Sequence, residues 1–212
     1  MKQIYFITAT NTDVGKTYAS EVFLKKFAKQ GKKVGYFKPI ETGVENKPLD
    51  GTKLLTLTQK LNPEFNVTID DVVPYQFKLP AAPFVAQQYE VKFSKKEERT
   101  IDITTIINKA NELLNYCDTL IVEGAGGLMV PIKKDFFIVD LIKEFEKHFN
   151  TKTILIAPSN LGSINDTLLS QNILTQYNIK YEWYINLYKD KDSFRAVTLP
   201  FYKEYFKAIN YL

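Results

Sequence analysis

The segment Thr10-Asn11-Thr12-Asp13-Val14-Gly15-Lys16-Thr17 decides the fold of this 212-residue chain. It follows a strand-like apolar run at residues 4–8 and precedes residues 17–30, whose apolar side chains recur at helical spacing. A Gly-Lys-Thr loop between a strand and a helix is typical of a phosphate-binding loop, although the pattern expects glycine where Thr10 stands. Its backbone N–H groups face the phosphates, its lysine contacts the β- and γ-phosphates, and its hydroxyl binds Mg²⁺. The predicted nucleotide-binding residues are Thr12, Asp13, Val14, Gly15, Lys16 and Thr17.

Strand-like and helix-like segments alternate along the rest of the chain. Strands are predicted at residues 4–8, 33–37, 119–122, 153–157 and 182–185, and helices at 17–30, 50–61, 100–116, 139–149, 164–177 and 202–209. In residues 62–99, Pro74, Pro80 and Pro83 break the pattern, and the segment receives no assignment. The alternation predicts an α/β fold, a mostly parallel sheet with helices on both faces in three layers, like that of P-loop NTPases. We expect residues 1–212 to form a single domain.

Composition excludes several classes of protein. Hydrophobic residues make up 45% and charged residues 25% of the chain, which is ordinary for a globular protein. Cys117 is the only cysteine and His148 the only histidine, so an internal disulfide, a cysteine zinc site and a histidine metal cluster are all excluded. No nucleophile elbow of the hydrolase type occurs.

Charge and hydropathy point away from nucleic acids and membranes. The net charge is +4, but only Arg99 and Arg195 are arginines, and the lysines are spread along the chain. Surfaces that read bases favour arginine, so we predict no nucleic-acid partner. No apolar run approaches the ~20 residues of a membrane-spanning helix, and the N-terminus resembles a strand more than a signal peptide. A cytoplasmic location is therefore expected.

Two charged residues follow predicted strands of the sheet. Lys38 comes after the second strand, and Pro39 forces it into an extended conformation. Its ammonium group should lie at the same sheet edge as the phosphate-binding loop, because ligands bind at the carboxyl ends of parallel strands. A second lysine there can stabilise charge that develops during phosphoryl transfer. A solvated lysine at a strand end is the alternative.

Candidate metal ligands occur at the same edge. Glu123 directly follows the buried strand at 119–122, where a second Mg²⁺ ligand is expected beside a phosphate-binding loop. The residues after it, Gly124, Ala125, Gly126 and Gly127, allow close approach of backbone to a ligand. The alternative is that Glu123 caps a neighbouring helix. Asp50 is a third candidate for the metal, although its position alone favours an N-cap.

Polar residues follow the last two strands. The turn Asn160 to Asn165 opens a helix, where free N–H groups suit a carboxylate, although simple helix capping explains the turn equally well. Asn186 follows the next strand at a position suited to contact with a nucleotide base. The residues after Asn186 lack the Asn-Lys-x-Asp arrangement typical of guanine-specific GTPases.

Taken in order, these segments resemble the dethiobiotin synthetase family. The matching motifs are residues 10–17, Lys38-Pro39-Ile40-Glu41-Thr42-Gly43, Val122-Glu123-Gly124-Ala125-Gly126-Gly127, Leu161-Gly162-Ser163-Ile164-Asn165 and Asn186, with Pro74-Tyr75-Gln76-Phe77 and Ala82-Pro83 between them. The family tolerates threonine at the first loop position. The chain departs from it at Asn186-Leu187, where the family often has Asn-Asp, and in the tail from Tyr188 onward.

The resemblance implies an ATP-dependent ligase that uses Mg²⁺. It joins 7,8-diaminononanoate and CO₂ into the cyclic urea of dethiobiotin through a carbamic–phosphoric anhydride, and releases ADP and phosphate. The family implies that Lys16 and Lys38 hold the γ-phosphoryl group and the carbamate, and that Thr17, Asp50 and Glu123 bind Mg²⁺. It further implies the diamine ligands Thr42, Gly126 and Gly127, the tail-carboxylate ligands Gly162, Ser163 and Asn165, and nucleotide contacts from Gly124, Ala125, Gly126, Asn186 and Pro200. The resemblance also implies a homodimer with sites at the subunit interface.

Two other classes of protein share parts of this pattern. A P-loop ATPase switch of the chromosome- or cell-division-positioning type has the same architecture, but it usually carries an additional lysine early in the loop, and residues 9–14 contain none. A nucleotide-binding scaffold would bind ATP without turnover.

Overall fold

The computed structural model describes residues 2–94, 100–187 and 191–212. The strands are β1 Gln3–Ala9, β2 Val34–Phe37, β3 Ile40–Thr42, β4 Tyr75–Phe77, β5 Thr119–Gly127, β6 Pro131–Lys133, β7 Phe136–Phe137, β8 Thr151–Pro158, β9 Tyr181–Asn186 and β10 Asn210–Tyr211. The helices are α1 Lys16–Lys29, α2 Leu49–Leu61, α3 Ile69–Val72, α4 Pro83–Ser94, α5 Ile103–Leu113, α6 Ile138–His148, α7 Ser163–Gln176, α8 Lys191–Ser193 and α9 Leu199–Tyr205, with a π-helical turn Phe194–Thr198 before α9. Among the described residues, no helix is both long and apolar enough to cross a bilayer.

Within the described residues, a six-stranded parallel sheet has the strand order β10-β9-β8-β1-β5-β2. The first strand therefore lies inside the sheet, with β5 on one side and β8 on the other. All six strands run in the same direction, so the loops that follow them emerge at one edge. Two small pairs lie outside this sheet: β3 with β4, which are parallel, and β6 with β7, which are antiparallel.

Helices cover both faces of the sheet. Consecutive strand residues point to opposite faces, and the aromatic neighbours Tyr5 and Phe6 of β1 show which helix covers each. Tyr5 stacks on Phe27 of α1, with ring centroids 4.4 Å apart. Phe6 meets the edge of Phe145 of α6 at 5.4 Å. The α/β, three-layer fold predicted from the sequence is confirmed.

Several element boundaries differ from the sequence prediction. The fifth strand does not stop at residue 122 but continues to Gly127, with an irregularity in its pairing to β1 between Ile7 and Ala9. The helix predicted at 100–116 spans only Ile103–Leu113. It begins at Ile103 because the Asp102 carboxylate accepts the N–H groups of Thr104 and Thr105 and so caps it.

The prediction for the last helix was wrong at both ends. The π-helical turn begins at Phe194 and α9 begins at Leu199, both before the predicted start at residue 202. The helix α9 ends at Tyr205 rather than at 209. The residues beyond it form β10, which pairs with β9 at the edge of the sheet. An unpaired strand edge attracts an extended segment because its N–H and C=O groups lack partners.

Residues 62–99, which the sequence left unassigned, contain α3, β4 and α4 within their described part. The short helix α3 is fixed by a capping box, in which Thr68 and Asp71 exchange hydrogen bonds. Lys109 of α5 contacts the Asp71 carboxylate at 2.9 Å. These contacts attach the segment to α5.

Candidate active site

The phosphate-binding loop joins β1 to α1. Gly15 has a φ of +101° and Asp13 a φ of +57°, so the backbone turns through left-handed conformations there. The Lys16 side chain is buried, and its ammonium donates to the Asn11 carbonyl at 3.1 Å. Burial lowers the pKa of Lys16 to about 8, although Glu123 opposes that shift. The Lys16 ammonium thus lies across the loop, where phosphates are expected.

A buried carboxylate lies beside this loop. Glu123 is 1% exposed, and each of its oxygens accepts two hydrogen bonds. The hydroxyl of Thr17 and the ammonium of Lys38 donate to Oε1 at 2.9 and 2.8 Å. The hydroxyls of Ser20 and Tyr36 donate to Oε2 at 2.8 and 3.0 Å. A buried ionised carboxylate needs such donors, because leaving it unpaired is costly.

Lys38 bridges two carboxylates. Its ammonium lies 2.8 Å from Glu123 Oε1 and 2.6 Å from Asp50 Oδ2. Burial alone lowers the pKa of a lysine, but the two carboxylates outweigh burial and raise the pKa of Lys38 above its usual range. The pKa of Asp50 is lowered, since Lys38 overcomes the effect of burial on that carboxyl. Lys38 therefore stays protonated at neutral pH.

Asp50 is free for this contact because another residue caps its helix. The structure places Asp50 in the first turn of α2, after Pro48 at the N-cap position, so the N-cap interpretation was wrong. The buried Glu41 carboxylate accepts the N–H groups of Asp50 and Gly51 at 3.1 and 3.0 Å. Burial raises the pKa of Glu41. Glu41 thereby does for α2 what an N-cap side chain does.

The glycine-rich end of β5 lies against the start of the phosphate-binding loop. A Cβ atom added to Gly127 would come within 2.9 Å of the Thr10 carbonyl oxygen. Gly126 has a φ of +69°, which side chains rarely tolerate. Glycine at these two positions lets the backbone of β5 turn and pass close to the loop.

Comparison with known proteins identifies the family. An AAA domain model matches residues 3–185. The chain is 47% identical over 204 residues to an ATP-dependent dethiobiotin synthetase BioD of Sulfurovum sp. (strain NBC37-1), covering 96% of this chain and 91% of that one. It is 36% identical over 200 residues to the enzyme of the same name from Wolinella succinogenes, covering 94% and 88%. The chain belongs to the dethiobiotin synthetase family. The family predicted from the sequence motifs is confirmed.

Solved structures support the fold. The MinC:MinD cell division protein complex of Aquifex aeolicus superposes with a TM-score of 0.56 at 19% identity, covering 98% of this chain and 79% of that one. A plasmid partition protein from Borrelia burgdorferi gives 0.52 at 13% identity, covering 100% and 89%. At these identities the likeness shows a shared fold alone and does not favour the positioning-ATPase alternative for this dethiobiotin synthetase family member.

The start of α7 lies along the same edge. Gly162 precedes this helix with a φ of +91°, and Gly162 and Asn165 are exposed residues, whereas Ser163 is buried. A groove of about 350 Å³ separates α7 from the loop, lined by Thr10 and Asn11 on one side and by Asp166 and Leu169 on the other. The residues predicted for the tail carboxylate therefore lie on the helix that borders this groove.

The other predicted ligands, Asn186, Thr42 and Pro200, differ in how they relate to the phosphate-binding loop, Lys38 and Glu123. The amide of Asn186 donates to the Val14 carbonyl at 2.9 Å, so it contacts the phosphate-binding loop directly. Thr42 is half-buried at the end of β3, and no hydrogen bond within the described residues joins it to Glu123 or Lys38. Pro200 is exposed in the first turn of α9. Residues 188–190, the start of the tail expected near the base, lie outside the described residues.

Sequence reasoning missed three residues of this site: Ser20, Tyr36 and Glu41. A signal existed for two of them. Tyr36 lies two positions before Lys38, on the same side of an extended chain, and Ser20 lies one helical turn after Thr17. Glu41 could not be found this way, because the N–H groups that it accepts lie at the start of α2, about ten residues further along the chain.

Proposed function

We propose that the chain catalyses the reaction for which its family is named, with ATP as co-substrate and 7,8-diaminononanoate and CO₂ as the other substrates. One observation carries the proposal: a second lysine, Lys38, is held between Glu123 and Asp50 beside the Lys16 loop. Phosphoryl transfer to a carbamate brings two negatively charged groups together, and two ammonium groups at one site stabilise that charge.

The reaction can be written without any covalent bond between a side chain and a reactant. One amine nitrogen adds to CO₂ and loses a proton, which gives a carbamate. A carbamate oxygen attacks the γ-phosphorus, and ADP leaves. The second amine attacks the carbamoyl carbon and loses a proton, the bond from that carbon to the phosphoryl oxygen breaks, and phosphate departs as the ring closes. The protein then needs mainly to position reactants and to stabilise charge.

We assign roles by position. Lys16 contacts the β- and γ-phosphates, and Lys38 holds the γ-phosphoryl group and the carbamate together. The remaining nucleotide contacts are proposed for Thr12, Asp13, Val14, Gly15, Thr17, Gly124, Ala125, Gly126, Asn186 and Pro200. The diamine contacts are proposed for Thr42, Gly126 and Gly127, and the tail-carboxylate contacts for Gly162, Ser163 and Asn165.

The donor set fits Mg²⁺. Thr17 supplies a hydroxyl oxygen, and Asp50 and Glu123 supply carboxylate oxygens within reach of one ammonium group. Mg²⁺ binds through one or two carboxylates together with substrate phosphates, rather than in a cage made of protein alone. The described residues contain no group of three or more His, Cys, Asp or Glu side chains that could hold a metal ion without further ligands. The bound ion would neutralise phosphate charge.

We further propose that the whole chain works as one catalytic unit and assembles as a cytoplasmic homodimer. In that dimer α7 of one subunit presents its first turn to the diamine of the other. Support comes from apolar side chains at the groove and before α7: Leu161 is 76% and Leu169 58% exposed, and Met129 is also exposed. Exposed apolar side chains grouped in this way are typical of protein interfaces.

The decisive experiment is direct. Incubation with ATP, Mg²⁺, bicarbonate and 7,8-diaminononanoate should give the cyclic urea by mass spectrometry, with one phosphate released per product. Lys16→Met and Lys38→Met should each lower turnover by at least about 100-fold. Lys33→Met, which breaks only the exposed Lys33–Glu64 pair, is the matched control and should keep normal turnover. ATP hydrolysis without the urea would contradict the proposal.

Base selection is tested in the same assay. The chain departs from the family after Asn186, so ATP, GTP and CTP should be compared at equal concentration. Equal rates with all three would remove Asn186 and Pro200 from base recognition.

A further inference from the structure

Tyr202 of α9 connects the C-terminal segment to the first turn of α7. Its side chain is fully buried, and its hydroxyl lies 3.2 Å from the Ser163 carbonyl oxygen, to which it donates. The same hydroxyl lies 2.9 Å from the hydroxyl of Thr167. Ser163 and Thr167 stand four residues apart, so one phenol contacts both ends of the first helical turn.

The ring of Tyr202 is held as firmly as its hydroxyl. It meets the Trp183 ring of β9 edge-on, with centroids 5.6 Å apart, and the Phe206 ring at 5.3 Å. Aromatic contacts of this kind restrict a buried ring in position and orientation. The phenol therefore cannot follow a displaced α7 without breaking its packing on the sheet.

The strand that holds Tyr202 also holds the phosphate-binding loop. Trp183 lies three residues before Asn186 on β9, and Asn186 donates to Val14 of the loop. The first turn of α7 is thus fixed to the sheet of its own subunit, and in the proposed dimer this fixed turn reaches the diamine of the other subunit. A carboxylate bound at a helix N-terminus depends on the direction of a few backbone N–H groups, so a fixed first turn favours binding.

We propose that Tyr202 is a positioning residue for the diamine substrate: through Ser163 and Thr167 it fixes the N–H groups at the start of α7 that receive the tail carboxylate. The inference rests on the proposed function and extends it to a residue that does not touch substrate. It concerns recognition of the tail alone, because both partners of the phenol, Ser163 and Thr167, lie on α7 and not on the phosphate-binding loop.

Kinetics of Tyr202→Phe test the inference. This variant keeps the ring and removes the hydroxyl. The KM for 7,8-diaminononanoate should rise about tenfold, the range expected when one buried hydrogen bond is lost. The kcat and the KM for ATP should stay within about twofold of wild type. Tyr205→Phe is the matched control: Tyr205 lies on the same helix, is exposed and stacks on Phe201, and its variant should leave all three constants unchanged.

A substrate without the tail charge separates positioning from a general structural role. With 7,8-diaminononane, which lacks the carboxylate, wild type and Tyr202→Phe should have the same kcat/KM. A merely loosened protein would lose activity on both substrates, and that result would overturn the inference.

Circular dichroism shows whether Tyr202→Phe is folded. If it is not, a second variant keeps the inference testable. Thr167→Val removes the other partner and should raise the same KM, and the double variant should show no further rise beyond the larger single effect. An unchanged diamine KM in a folded Tyr202→Phe that still makes the cyclic urea would overturn this inference alone. No cyclic urea from wild type would overturn the proposed function, and the inference with it.

Discussion

At the scale of single residues, the site depends on the hydrogen-bond donors that surround the buried Glu123 carboxylate. Glu123 has four donors, of which one is charged and three are hydroxyls. Burial and the nearby Glu123 raise the pKa of Tyr36, so its hydroxyl remains protonated and donates. Three neutral donors hold the carboxylate in place if the Lys38 ammonium turns toward a substrate.

Removal of one neutral donor should cost stability more than activity. In Tyr36→Phe, Glu123 keeps three donors but loses one buried hydrogen bond. The free energy of unfolding should fall by about 1–2 kcal/mol in urea denaturation, since the acceptor is charged and buried. Tyr184→Phe is the control: its hydroxyl contacts the exposed Glu182 carboxylate, and its loss should cost less than about 0.5 kcal/mol. If Tyr36→Phe and Tyr184→Phe lowered the free energy of unfolding equally, the hydrogen bond to the buried Glu123 carboxylate would be worth no more than an exposed one.

Lys38 and a divalent cation should compete for the same carboxylates. The ammonium of Lys38 lies within 2.8 Å of both Asp50 and Glu123. Without nucleotide, Mg²⁺ should therefore raise the melting temperature of Lys38→Met more than that of wild type. Lys33→Met should respond as wild type does. An identical Mg²⁺ response in all three proteins would place the metal elsewhere.

Much of this site could be predicted from the sequence, because parallel strands bring their following residues to one edge. Lys16, Lys38 and Glu123 each follow a strand, and the structure brings them together. Ser20 and Tyr36 were missed because a serine in a helix and a tyrosine in a strand have many other uses. The contact of Asn186 with the loop was also hidden, since 172 residues separate it from Val14.

At the scale of elements, short segments limit what a sequence reveals. The central strands and the helices α5 and α6 were found because apolar side chains recur regularly over their length. The helix α3 spans four residues and β10 spans two, which is too short for any periodicity. Their positions follow from contacts with α5 and β9, which are distant in sequence.

Acid should weaken the attachment of α3. The hydrogen bond from Thr68 and then the Lys109 contact lower the pKa of Asp71 to about 2. A lowered carboxyl pKa stabilises the fold above the unfolded value near 4, and that contribution is lost as the pH falls through about 2. Asp71→Asn should therefore cost about 0.5–1 kcal/mol at pH 7, allowing for partial exposure.

The measurement is the free energy of unfolding of wild type and of Asp71→Asn as a function of pH. The gap in unfolding free energy between wild type and Asp71→Asn should narrow below about pH 4. Asp70→Asn, on the same turn, leaves the Thr68 bond intact and should cost less at pH 7. A gap that stays constant down to pH 3 would argue against the ionised Asp71 contact.

The turn between α5 and β5 should protect Cys117 from reagents. The thiol is buried, and burial raises its pKa to about 12. The thiolate is the reactive form, so alkylation by iodoacetamide at pH 8 should be slower by about 1000-fold than for the unfolded chain. Mass spectrometry of native and urea-unfolded samples measures this directly. Rapid alkylation of native protein would show that the turn opens.

At the scale of the whole molecule, the sheet separates two edges with different character. The phosphate-binding loop, Glu123 and the start of α7 lie where strands end. The turns that lead into the strands, such as the one carrying Tyr116, lie at the other edge. Exposed apolar side chains near the first edge, Leu161 and Leu169 among them, should make the dimer.

A charge at that surface should separate the subunits. Leu169→Lys should shift the mass by light scattering from dimer to monomer and raise the KM for the diamine, because α7 would no longer reach the second subunit. Tyr116→Lys, at the opposite edge, should remain dimeric. A wild type that is monomeric at assay concentration would contradict the shared site.

The protected Cys117 makes the protein chemically addressable at one chosen point. Lys180 is exposed in the turn from α7 into β9, at the strand-entry edge. A thiol installed there by Lys180→Cys would take a fluorophore or a surface linker while the native thiol stays silent. In each subunit the attachment point would then lie at the strand-entry edge, away from the phosphate-binding loop, so that turnover can be followed on immobilised protein.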